Sequence, residues 1–199
     1  MLSDDTVFKF LTQSENLPVA LEVANYVDRL KNSLHEQFWV ISNSQIEFQL
    51  DISEYKSKWK YKTDLRGNVY RERYGNNRFE PILAQGSKQP HLFMFFGHTN
   101  EEGHFQLYWG VHWSKKPEDY DHSALTTLTS ELVGRNMKSQ WPNSVRFGYM
   151  DRAIYSPEFL MNMYNQPDEW VGEISNDVWR LFLDIRPLLE TINEDIANT

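Results

Sequence analysis

His91-Leu92-Phe93-Met94-Phe95-Phe96-Gly97-His98, Thr99-Asn100-Glu101-Glu102-Gly103, His104-Phe105-Gln106-Leu107-Tyr108-Trp109-Gly110-Val111-His112-Trp113: this stretch decides the fold. Two aromatic-rich runs flank a short polar segment ending in glycine, which predicts a β-hairpin. Side chains alternate across a strand, so Phe105, Leu107, Trp109, Val111 and Trp113 share one face, and Gln106, Tyr108, Gly110 and His112 share the other. The first run is apolar at successive positions, the pattern of a central strand covered on both sides.

Working outward, the N-terminal side supplies helices. Ser3-Asp4-Asp5 reads as a cap with acids in the first turn of a short helix ending near Gln13. Leu17-Pro18 opens a second, in which Ala20, Val23, Val27, Leu30, Leu34 and Phe38 recur at steps of three and four, and Ser42-Asn43-Ser44 ends it. Then Gln45 to Ile52 alternates strictly, with Ile46, Phe48, Leu50 and Ile52 opposite Glu47, Gln49 and Asp51, and predicts a half-buried strand. Tyr55–Thr63 and Val69–Tyr74 predict two further strands joined by a turn at Leu65-Arg66-Gly67-Asn68, with Gly75-Asn76-Asn77 closing the last and a loop over 81–90.

Beyond the hairpin, Ala124, Leu125, Leu128, Leu132 and Val133 predict a helix stopped by Gly134, and Val145–Met150 a strand. Ser156-Pro157-Glu158 starts another helix, ended by Pro167. The final segment steps through Val171, Ile174, Val178, Leu181, Ile185, Leu188, Ile192 and Ile196, with Pro187 expected to kink or split it. No internal repeat or domain boundary is evident. The expectation is one α+β domain over residues 1–199: an antiparallel sheet of five to six strands, meander plus core hairpin, packed by N- and C-terminal helices.

Composition narrows the function. With no cysteine there is no disulfide framework, thiolate metal site or cysteine nucleophile. Neither a signal peptide nor an apolar run long enough to span a bilayer is present, so a soluble, cytoplasmic protein is expected. Of 20 Lys/Arg and 28 Asp/Glu, residues 1–100 carry 12 and 12, so the whole net charge of −8 comes from the second half. Such a chain repels nucleic acid at long range, and any nucleic-acid role must rest on a local patch.

The three predicted strands from Gln45 to Tyr74 offer that patch. A turn at Ser53-Glu54 sets Asp51 opposite Lys56 and Glu47 opposite Lys60, and the turn near Arg66 sets Lys62 opposite Arg71 and Lys60 opposite Arg73. Lys56, Lys58, Lys60, Lys62, Arg71 and Arg73 then share one face, extended by Arg66 and partly countered by Glu47 and Asp51. Like charges facing across strands cost roughly 0.2–1 kcal/mol a pair, which a bound polyanion offsets. The plainer explanation is a solvated face whose lysines block edge-to-edge aggregation, with no aromatics among them for bases to stack on.

Other constellations are thinner. His98 and His104 flank the hairpin turn with Glu101 at its tip, a possible divalent-metal set of unusual spacing. Glu54-Tyr55-Lys56, with Asp51 upstream, has the acid-x-lysine form used by metal-dependent nucleases. Trp170 and Trp179 lie off the apolar stripe of the last helix and, if exposed, anchor a protein partner. No glycine-rich phosphate loop, nucleophile elbow or His-Glu-x-x-His occurs. The leading expectation is a non-catalytic intracellular protein, without cofactor, that binds nucleic acid or an acidic protein surface. A metal-dependent hydrolase and an acidic inhibitor or assembly subunit acting through the C-terminal half are the alternatives.

Overall fold

The structure is a computed structural model that describes residues 4–63, 74–83, 89–101, 104–115, 123–139, 143–153 and 157–198. In chain order the elements are α1 (Asp4–Leu11), α2 (Leu17–Ile52), a 3₁₀ turn (Glu54–Ser57), β1 (Trp59–Thr63), β2 (Tyr74–Pro81), β3 (Leu92–Glu101), β4 (His104–Trp113), α3 (Ser123–Gly134), β5 (Ser144–Ala153), α4 (Pro157–Asn165) and α5 (Pro167–Ala197). The five strands form one antiparallel sheet in the order β1-β2-β3-β4-β5, so the fold is α+β.

The hairpin lies at its middle. Leu92 pairs with Trp113 and Glu101 with His104, and β3 is the central strand. Leu92, Met94 and Phe96 join Leu107, Trp109, Val111 and Trp113 in the main core, while Phe95 and Tyr108 join Phe147 in a smaller cluster on the opposite face. The double-sided apolar run of β3 therefore reports burial on both faces.

The helices cover one face. Val171, Ile174, Val178, Phe182, Ile185, Leu189 and Ile192 of α5 are buried, beside Leu34, Phe38, Ile46 and Leu50 of α2. The two helices approach closely where Ser42 and Ser175 meet through their hydroxyls at 3.3 Å. Asn193 reaches β3: its side-chain carbonyl accepts from the Leu92 amide at 2.7 Å, and its amide donates to the Leu92 carbonyl at 3.0 Å.

Three expectations are corrected. Gln45–Ile52 is not a strand but the end of the 36-residue helix α2, which Ser42-Asn43-Ser44 does not stop. Ile46 and Leu50, four apart, satisfy both periods, whereas Phe48 and Ile52 are exposed. Gln45 and Gln49 cross to α5, donating to the Asp168 carbonyl and the Asn176 side chain. Contact with α5 thus favours helix over the alternation. Next, Tyr55–Thr63 is a strand only from Trp59, since Glu54–Ser57 forms the 3₁₀ turn capped by the Ser53 hydroxyl.

Third, Gly75-Asn76-Asn77 does not close a strand. β2 runs from Tyr74 to Pro81, and buried Asn77 donates to Asn43 of α2, whose side chain also accepts from the Tyr61 hydroxyl. The proposed strand Val69–Tyr74 falls outside the described residues except for Tyr74. Of the two outcomes expected at Pro187, a kink or a split, the split does not occur: α5 runs on through it from Pro167 to Ala197. Losing one backbone bond costs about 3 kcal/mol, and each of the neighbouring Ile185, Leu189 and Ile192 gains roughly 1.5–3 kcal/mol on burial.

Candidate functional site

β1 starts from an anchored tryptophan. Trp59 is buried, and its indole N–H donates to Glu190 of α5 at 2.9 Å. The same carboxylate accepts from Arg186 at 2.7 Å, and Arg186 lies 3.8 Å over the Tyr55 ring. With Trp59 and Tyr61 turned toward the helices, alternation turns Lys60 and Lys62 to the outer face of the sheet.

The register there differs from the expected one. Lys60 pairs with Glu80 and Lys62 with Arg78, not with Arg73 and Arg71. Glu80, its side chain only 12% exposed, meets Lys62 directly, Lys60 at 3.6 Å and the His91 ring at 3.3 Å. Burial alone would raise the Glu80 pKa, but Lys62, with Arg78 and Lys60, holds it below the usual carboxylate range. One ionised carboxylate therefore organises three cations. Arg78 also stands 5.6 Å over the Phe93 ring, which neighbours His91 and His112 at 6.3 and 5.9 Å. Burial pushes the His112 imidazole down to about 4, so it is neutral at physiological pH.

Two further members of the expected basic wall stand apart from this face. Lys56 sits on the 3₁₀ turn against Asp51 at 3.2 Å, and Lys58 turns to Glu194 of α5 at 3.8 Å. Arg66, Arg71 and Arg73 lie outside the described residues. Two shallow clefts flank Trp59 and Ile82: one of about 320 Å³ edged by Glu47, Asp51, Lys56 and Lys60, the other of about 270 Å³ edged by Lys58, Glu190 and Glu194. Both carry opposed charges on an apolar floor, so neither has the one-sided potential of an anion site.

Of the hydrolase constellation, Asp51 and Lys56 are brought together across the 3₁₀ turn. They pair at 3.2 Å, while the hydrogen bond that the half-buried Tyr55 hydroxyl donates to Glu54 raises the phenol pKa. In the metal set, His98 is fully buried, packed edge-on to His35 at 4.9 Å and near Trp39 at 5.5 Å, whereas Glu101 pairs in register with His104 at the far end of the hairpin. Among the described residues no three His, Asp or Glu side chains converge on a point. Trp170 packs 5.0 Å from Phe159, and Trp179 lies 5.4 Å from Phe182, so both are half-buried parts of the core. No described helix is long and apolar enough to cross a membrane.

Sequence reasoning missed Arg78, Glu80, Phe93 and His112 as members of one face. The signal was present in Asn77-Arg78-Phe79-Glu80, which alternates as cleanly as β1, but two glycine-asparagine positions just upstream read as a strand end. No family model, curated protein or solved structure matches this chain.

Proposed function

We propose that this chain is a non-catalytic binding protein that holds single-stranded nucleic acid on the outer face of β1, β2 and β3. One observation carries this reading: Lys60 and Lys62 follow each other along β1, Arg78 lies across from Lys62 on β2 and reaches the Phe93 ring, and His91 and His112 lie beside that ring. Cations that follow a phosphate backbone beside a ring on which a base stacks are the two parts single-strand binding requires. A plain acidic protein surface needs only the cations, so the ring favours the nucleic acid. Glu80 spaces the cations and screens their mutual repulsion.

The footprint is small, and the acidic remainder of the chain opposes it, so binding is weak and falls with salt. Fluorescence anisotropy with a labelled single-stranded oligonucleotide tests this. Three phosphate contacts give a log-log salt slope of about −2. Arg78→Glu and Lys60→Glu should each weaken binding at least about tenfold, while Lys56→Glu, on the 3₁₀ turn, leaves it unchanged. A wild-type chain with no salt-sensitive binding sinks the proposal. Equal affinity for polyglutamate means that the face reads negative charge alone, and the acidic-protein reading replaces this one.

A further inference from the structure

We propose that the first half of α2 pairs, antiparallel, with the same segment of a second copy of this chain. At 1.5 Å per residue α2 is about 54 Å long, and only its second half meets the core. Leu34 is its first buried residue. Before it, Leu17, Val19, Leu21, Val23, Tyr26, Val27 and Leu30 are all exposed, as are Phe8 and Phe10 on α1. Val23, Val27 and Leu30 continue the stripe that Leu34, Phe38 and Ile46 bury against the sheet. A single apolar stripe is thus buried along half of its length and bare along the other half.

The bare half is apolar over several turns: Leu17, Val19, Leu21, Val23, Tyr26, Val27 and Leu30 are each 39–61% exposed, the kind of uncovered apolar surface that marks an interaction site. Charge placement selects the occupant and its direction. Within the bare half Glu22 lies toward the start and Arg29 and Lys31 toward the end, with Asp28 beside them. Antiparallel pairing about a two-fold axis near Tyr26 brings Glu22 of one copy beside Arg29 of the other. In-register parallel pairing leaves Glu22 of one copy seven residues, about 10 Å along the axis, from Arg29 of the other. The segment is complementary to its own reverse, the condition for a closed two-fold dimer.

Sedimentation equilibrium of the full chain should give twice the mass of one chain. Val23→Glu with Val27→Glu should return it to one, with an unchanged near-ultraviolet circular dichroism spectrum because both sites are exposed. The chain has no cysteine, so direction is read by cross-linking. Tyr26→Cys, at the axis, should oxidise to a linked dimer. Ser33→Cys, one heptad on, should not, because antiparallel copies hold those sites about 21 Å apart along the axis. Glu22→Arg and Arg29→Glu should each weaken association about tenfold, and together restore it. A chain that remains monomeric at 100 µM or above (about a hundred times a micromolar dissociation constant) overturns the proposal, as does equal cross-linking at both cysteines.

Discussion

At Gly110, β4 and β5 run too close for a side chain. A Cβ there would collide with the Arg146 carbonyl and lie 2.7 Å from the Phe95 ring and 2.8 Å from the Phe147 Cα. Two of those three are backbone and cannot rotate away. Gly110→Ala should therefore cost several kcal/mol, in the range of severe overpacking, whereas Gly134→Ala, with open space around it at the end of α3, should be neutral or mildly stabilising. Urea denaturation of the two variants compares them directly. Asn193 makes a second residue-scale case. Removing its carboxamide in Asn193→Ala leaves the amide and carbonyl of Leu92 buried without their partner. Each unsatisfied group costs about 1–3 kcal/mol, so this exposed-looking polar residue near the chain end should matter as much as a core leucine. A thermal melt checks it. Neither role is written in the sequence: Gly110 reads as an interruption of a strand, and Asn193 as one more polar position on a helix.

At the scale of elements, legibility followed length and redundancy. The hairpin, α3, β5, α4 and α5 could be read because each has more apolar positions than one period can produce by accident. Gln45–Ile52 could not, because eight residues with Ile46 and Leu50 four apart fit a strand and a helix equally. The partners that break the tie, Asp168 and Asn176, are more than 120 positions away. The candidate face was half legible for the same reason. Alternation alone turned Lys60 and Lys62 outward, but their neighbours depend on which strand lies alongside, and β2 begins at Tyr74, where the glycine and asparagines suggested an end. Lys56 and Lys58 show the cost of extending a periodicity past its element: both obey the alternation of β1, and both lie before its first residue.

Over the whole molecule, acidification should act through histidines held neutral. Burial, with the neighbouring His98 adding to it, pushes His35 down to about 3, and burial pushes His112 down to about 4. Both take up a proton near pH 6.5 in the unfolded chain but not in the folded one. Their contribution is fully present above pH 6.5 and is lost as pH falls from there toward 4 and then 3. Each proton taken up only by the unfolded chain costs about 1.4 kcal/mol per pH unit. The urea midpoint should fall between pH 7 and pH 4.5, and His35→Gln, which cannot charge, should flatten that fall. An identical pH profile in the variant would remove His35 as a cause. The order of elements along the chain has its own consequence. α5 follows every strand in sequence yet covers the middle of the sheet and clamps the start of β3. While the polypeptide is still emerging from the ribosome, a greasy platform of Leu92, Met94 and Phe96 must wait for its lid, and that interval is when a chaperone has most to hold.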